Sequence, residues 1–338
     1  MAETRERSAA LQAFLEASGW GAAERRPLAE DASFRRYERL ERAGSTVVLM
    51  DAPPPMEDVR PYLAVARRLD RLGYSAPAII AEDTECGFLL IEDFGDDTYT
   101  RVLAAGSDER ALYALAVDLL IDLNRRPADI ARGLPRYEAT ILIEEALLLI
   151  DWYMPAIGGP PPPASVRQAY RAAWMTTLAA LRPMPTTLVL RDYHVDNLMV
   201  LADRGGLRAC GLLDFQDAVA GPIGHDLVSL LEDARRDVPA SLQQEMFVRY
   251  LAGMGGLDRE AFAAAYAVQG AQRNLRIVGV FARLSARDGK GAYLRYLPRL
   301  WRLIAGNLAH PALAPVALWF REHLPPTRRG IPCERVPA

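Results

Sequence analysis

The chain has 338 residues, 51% of them apolar and 25% charged, with a formal net charge of −3. That is enough for one large domain or two smaller ones, with a core that needs no disulfide or metal staple. The slight acidic balance argues against a nucleic-acid surface, and Cys86, Cys210 and Cys333 contain no C-x-x-C pair that would suggest zinc or a disulfide framework.

The first 20 residues mix Glu and Arg with no apolar h-region, and no window holds 18 uninterrupted apolar residues. A cytoplasmic protein without a membrane segment is expected. Residues 5–18 place Leu11, Phe14 and Leu15 at helical spacing before Gly19. Two strand-like runs follow, Phe34 to Leu40 and Thr46 to Met50, and the prolines after Asp51 end the second. A helix is expected over 57–72, then two strands, Pro77 to Ala81 and Gly87 to Ile91. From about residue 97 the pattern turns helical: 109–125, 138–153, 165–181, then 227–237, 240–253, 259–284 and 293–308. Between them lies an irregular segment, 185–226, with two short strands, and 325–338 reads as a loose tail. The expected architecture is α+β: a small β-rich lobe followed by a larger helical one.

The irregular segment carries the chemistry. Apolar runs flank Arg191-Asp192-Tyr193-His194-Val195-Asp196-Asn197, and a second apolar run ends in Asp214-Phe215. Asp192, Asn197 and Asp214 are hard oxygen donors, suited to Mg²⁺ rather than zinc. Phosphoryl transfer uses such a set: one Asp for the proton of the attacking hydroxyl, an Asn and a second Asp for the metal on the nucleotide phosphates.

The pattern D-x-H-x-x-N, an apolar run ending in D-F, and then Gly221 with Asp226 in G-x-x-x-x-D-L resembles the aminoglycoside-phosphotransferase-like family, whose fold is protein-kinase-like and bilobal. Longer phrases, among them DASFRRY (31–37), LRDYHVDNLM (190–199) and QRNLRIVGVFARL (272–284), look like the bacterial anomeric kinases of N-acetylmuramate and N-acetylglucosamine, which serve peptidoglycan recycling. The resemblance covers roughly residues 25–310. It implies ATP and Mg²⁺ as cofactors and a small sugar as substrate; the oligomeric state stays open, with a monomer favoured. It implies a nucleotide-binding lobe over 1–93, a helical lobe with catalytic loop and acceptor site over 94–325, and a tail over 326–338. Asp192 is then the catalytic base, Asn197 and Asp214 hold the metal, and Asp226, with His194, braces the loop. Ser33, Phe34 and Arg35 lie where a phosphate-covering turn belongs. Glu92 and Phe94 mark the hinge, with Leu90 and Ile91 expected against the adenine ring. Arg273, Asn274 and Arg276 are candidates for the sugar, an arginine suiting the muramate carboxylate. Other acceptors, such as an aminoglycoside or choline-like amine, and a non-catalytic nucleotide-binding relative remain open.

One departure from that pattern stands out. Of the 40 basic residues only Lys290 is a lysine, so Val47 to Asp51 lacks the strand Lys that touches nucleotide phosphates in kinases. Tyr62 stands where its helix Glu partner is expected, and the 30–37 turn lacks the glycines of a phosphate-covering loop. The phosphates are left to an arginine such as Arg35 or Arg36, or to backbone amides.

Overall fold

Ser45–Asp51 reads STVVLMD, a β-branched and apolar run with side chains alternating between two faces. In the computed structural model, which describes residues 2–28, 34–158 and 160–332, this run is strand β3 of a five-stranded antiparallel sheet. The strands are β1 (Glu24–Pro27), β2 (Arg36–Arg42), β3 (Ser45–Asp51), β4 (Ile79–Asp83) and β5 (Phe88–Glu92), ordered β1-β2-β3-β5-β4. Val47 and Leu49 bury one face with Leu40, Phe88 and Leu90, under Leu11 and Leu15 of helix α1 (Ala2–Ala17). Arg7 of α1 pairs with Asp51 at 3.0 Å and caps the Phe88 ring at 4.5 Å. Val48, Met50 and Ile91 fall on the other face and line a cavity of about 420 Å³. Leu90, expected beside Ile91 at the adenine ring, therefore belongs to the opposite face: adjacent residues on a strand cannot share a side.

Helix α2 (Arg60–Arg71) buries Tyr62, Leu63, Val65, Ala66 and Leu69, an amphipathic stripe. Helix α3 (Tyr99–Ala104) is capped by Thr98, whose hydroxyl accepts from the Arg101 amide. Helix α4 (Glu109–Arg125) matches its expected limits.

Two compact units divide the chain: Met1–Leu115 with Val195–Ala218, and Ala116–His194 with Val219–Ala338. The stretch after His194 thus packs with the sheet, although a division at residue 93 assigns it to the helical lobe. The cause is a hairpin, Leu198–Val200 with Cys210–Leu212. It bridges to Ser75 through Gly211 and to Thr98 through Met199.

The second unit is built on helices α5 (Ala139–Leu148), α6 (Met154–Ala156), α7 (Ala164–Ala179), α8 (His225–Leu231), α9 (Ala240–Met254), α10 (Arg259–Asp288), α11 (Leu297–Leu308) and α12 (Ala314–His323). A π-turn, Leu149–Tyr153, joins α5 to α6. Helix α10 starts where Asp258 accepts from the Glu260 and Ala261 amides and stops at Gly289 in the left-handed region. Its Gly279 touches the end of α5 so closely that a Cβ would lie 2.4 Å from the Leu148 carbonyl carbon. Only glycine allows that approach.

The 185–226 segment holds four short strands rather than two; the outer pair, Thr186–Val189 and Val219–Pro222, belongs to the second unit. Helix α8 ends at Leu231, six residues early, because Glu232 leaves helical geometry and turns into a buried polar cluster. No single helix among the described residues is long and apolar enough to cross a membrane.

Candidate functional site

The hairpin register pairs Leu198 with Leu212, which brings the preceding Asn197 beside the residues that follow Leu212. The Leu213 amide donates to the Asn197 carbonyl at 2.9 Å. The Asn197 side-chain amide stands 3.3 Å from Asp214 Oδ2, and Gln216 donates to Oδ1 at 2.7 Å. Asp214 has φ +55°, a left-handed conformation that costs a non-glycine residue about 1–3 kcal/mol and collects at functional sites. Phe215 behind it stacks on Tyr62 at 4.9 Å. Asp214 and Asn197 both line the 420 Å³ cavity.

One carboxylate and one amide make a sparse, hard donor set. Among the described residues no cluster of three or more His, Cys, Asp or Glu forms a metal cage. Such a set fits Mg²⁺, which is commonly held by one or two protein carboxylates with substrate phosphates and water completing the shell.

The strand exit Glu92–Gly95 lines the same cavity. Asp93 binds Arg39 at 2.7 Å and accepts from the Gly95 amide at 2.9 Å. Glu92 pairs with Arg204, whose guanidinium lies 5.1 Å above the Phe94 ring. Arg35 donates to Glu57 at 3.0 Å, and its Nη1 stands 3.8 Å from Asp214 Oδ1. Phe34 is exposed, and its amide also goes to Glu57. Ser33 lies outside the described residues. Glu57 and Arg39 carry no signal in the sequence, and Asp93 falls within the hinge junction Glu92–Gly95 without a role of its own. The Val47–Asp51 strand register would have marked Arg39 as cavity-facing, since it pairs with Val48.

The helical unit holds Asp192 on a tight turn. The Asp192 amide donates to the Leu190 carbonyl and the His194 amide to the Asp192 carbonyl, at 2.9 and 3.1 Å. Beneath it the buried Asp226 carboxylate accepts the Leu190 and Arg191 amides at 2.7 and 2.9 Å. Arg191 is left-handed, with φ +71°. Its side chain donates to Glu145 at 2.5 Å, which also takes the Tyr137 hydroxyl at 2.5 Å. His194 is buried, and burial holds its imidazole below the usual range, hence neutral. Arg235 Nη1 lies 3.3 Å from its Nε2, so that nitrogen accepts and Nδ1 carries the ring proton.

Burial pushes the Asp192 carboxyl up, but Arg276, His194, Arg273 and Arg191 outweigh it, and the group sits below the ordinary carboxylate range. With His194 neutral, the arginines supply that field. Of the three sugar candidates, Arg276 is half-buried, with Nε 3.6 Å from Glu145. Arg273 is buried and donates to Ser229 at 2.7 Å, and among the described residues its Nε and Nη1 have no hydrogen-bond partner. Asn274 is fully buried and donates to Glu232 at 2.7 Å, so it is shut off from a sugar in this conformation. A larger depression of about 670 Å³, lined by Arg132, Tyr137 and Thr186 among others, includes none of Asp192, Asn197 and Asp214.

Residues 24–264 match the model of the phosphotransferase enzyme family. The N-acetylmuramate/N-acetylglucosamine kinase of Caulobacter vibrioides is 36% identical, over 97% of this chain and all of the relative. The kinase of the same name from Pseudomonas aeruginosa is 37% identical, over 88% of this chain and 89% of its own. Among solved structures, a choline/ethanolamine kinase family protein from Mesorhizobium loti superposes with a TM-score of 0.63 at 16% identity, covering 94% of this chain and 99% of its own. A spectinomycin phosphotransferase solved with ADP and spectinomycin superposes with a TM-score of 0.57 at 10% identity, over 92% of this chain and 98% of its own. These two likenesses show the fold, and it is the expected kinase-like one.

Proposed function

From the premise that this chain belongs to the phosphotransferase enzyme family, we propose that it transfers the γ-phosphoryl group of ATP to the anomeric hydroxyl of N-acetylmuramate or N-acetylglucosamine. The observation that carries the acceptor is the 36% identity, across 97% of the chain, to a kinase named for those two sugars. In this reading residues 1–93 bind nucleotide and 94–325 bring the catalytic loop and acceptor site; of the expected 326–338 tail, the described residues to 332 dock through Tyr153, which donates to the Gly330 carbonyl at 2.7 Å, and 333–338 lie outside the described residues. In this reading the enzyme works in the cytoplasm, where ATP is supplied.

Asp192 orients the acceptor hydroxyl and takes its proton. Its depressed pKa keeps it ionised at neutral pH, and an anomeric hydroxyl, more acidic than an ordinary alcohol, suits so weak a base. Asp226 holds the two amides before Asp192, and His194 packs beneath the turn as a neutral ring. Phe34, Arg35 and Ser33 belong to the phosphate side of the nucleotide site, and Glu92 and Phe94 to the adenine side. Asn197 and Asp214 would hold Mg²⁺, which when bound neutralises charge on the transferring phosphate. Arg276 and Arg273 serve the acceptor; Asn274 supports their helix from within through Glu232. The arginine field at Asp192 disfavours polycationic acceptors such as aminoglycosides and suits a neutral or anionic sugar.

The test is ADP release from Mg·ATP with each sugar alone, the product read by phosphorus NMR. A sugar-dependent anomeric phosphate is expected. Folded protein that binds ATP and turns over neither sugar would overturn the acceptor assignment. The missing strand Lys motivates a second reading, a nucleotide-binding protein without turnover; ATP binding with no ADP from any acceptor would favour it.

A further inference from the structure

The cavity face of β3 presents Val48 and Met50, so the strand offers the nucleotide's phosphates no cation. Arg39 lines the cavity too, but Asp93 and Asp96 hold it, at 2.7 and 3.0 Å, beside the strand exit. Arg35, just before β2, is not itself among the cavity-lining residues but stands next to Asp214, which is. Its side chain and that of Glu57 are only 12% and 13% exposed. Glu57 precedes α2. One of its oxygens accepts Arg35 Nε at 3.0 Å and the other accepts the Phe34 amide at 3.1 Å, fixing the guanidinium and its backbone together. The 3.8 Å from Arg35 Nη1 to Asp214 is an ion-pair distance, too long for a hydrogen bond. Glu57 thus clamps the guanidinium by its Nε edge, Tyr37 adds a further side-chain hydrogen bond, and Nη1 stands on the Asp214 side.

Resting on the kinase reading above, we propose that Arg35, clamped by Glu57, is the cation that holds the terminal phosphates of a nucleoside di- or triphosphate in this chain. The lysine–glutamate pair of strand and helix has been replaced by an arginine–glutamate pair of loop and helix approach. An arginine suits the exchange: its planar fork grips a phosphate with two parallel donors and its charge survives burial. A loop-borne cation needs an anchor that a strand-borne one does not, and Glu57 supplies it through both carboxylate oxygens.

The experiment compares ADP with AMP, which differ by the β-phosphate, in calorimetric titrations with Mg²⁺ present. Wild type is expected to prefer ADP. Arg35→Met keeps the aliphatic stem; it should weaken ADP by about 10- to 100-fold, the range of a lost charge-assisted contact, and leave AMP within about twofold. Arg35→Lys should recover part of the preference, and Glu57→Gln should reduce it by freeing the guanidinium. A merely structural role would weaken both nucleotides alike and lower the melting temperature with them. Met50→Lys in the Arg35→Met background should restore the ADP preference, since it returns a cation to the strand. An unchanged ADP-to-AMP ratio in Arg35→Met, or in Glu57→Gln should Arg35→Met not fold, overturns the proposal while wild-type turnover leaves the kinase reading standing. Wild type that binds neither nucleotide overturns both.

Discussion

Asp226 is the sharpest place to perturb the acceptor side of the chemistry without touching a reacting group. Its carboxylate is 5% exposed and receives two backbone amides, at 2.7 and 2.9 Å. Asp226→Asn keeps the shape, leaves one oxygen for one amide, and turns an NH₂ toward the other. One hydrogen bond to a charged group is lost, worth about 1.5–3 kcal/mol, and a buried donor then faces a donor. A destabilisation of about 2–4 kcal/mol follows. The lost bond also bears on Arg191, whose φ of +71° is held against a strain of about 1–3 kcal/mol. Once released, the turn relaxes and Asp192 moves. A displacement near 1 Å is enough to lower kcat by about 100-fold. Calorimetric unfolding reads the first effect, and a coupled ADP assay with calorimetric ADP titration reads the second. Reduced stability, reduced kcat and unchanged ADP affinity are expected together. A variant within about 0.5 kcal/mol of wild type, with normal kcat, would refute the bracing role.

Asp192→Asn should lower kcat by several orders of magnitude and leave nucleotide affinity intact, measured by the same two assays. Arg276→Ala should move the acid limb of the pH–kcat/KM profile to higher pH. Asp192 is held low by positive charge, so base function is lost only as pH falls through that low value, and removing a cation raises it. Glu232 titrates at about 7 in the folded chain, because burial outweighs the bonds from Asn307 and Asn274. A raised carboxyl favours folding below its unfolded value of 4.5 and loses that contribution as pH rises through 7. The melting temperature of wild type should fall between pH 5 and 8 relative to that of Glu232→Gln, by the equivalent of about 3 kcal/mol.

Long amphipathic elements were legible from the residues alone. Helix α4 falls on 109–125 because Leu112, Leu115, Leu119 and Leu123 mark one face, and β3 and β5 because their runs end in acid and proline. Short elements were not. Strands of three or four residues, such as Leu198–Val200, show too few side chains to reveal a period, and β1 (ERRP) is exposed throughout. Asp192, Asn197, Asp214 and Asp226 stand out as candidates because they cluster in one segment with fixed spacing, and the structure sets Asn197 beside Asp214 and Asp226 under the turn of Asp192. Glu57 could not: it meets Arg35 across 22 residues of turn and strand, and nothing local marks it. Asn274 misled for the opposite reason, since helical spacing places it beside Arg273 and Arg276 but does not say which side of α10 is sealed.

The scarcity of amines has a practical consequence for chemical probing. Lys290, the sole lysine of the sequence, is exposed where α10 gives way to the turn before α11. Reactive nucleotides that mark kinases by acylating the strand lysine would find Met50 and Val48 on the cavity face and a guanidinium in the loop. Profiling by such labels would pass over this enzyme in a cell extract. An inhibitor made for it would have to engage a planar, permanently charged fork instead of an ammonium group.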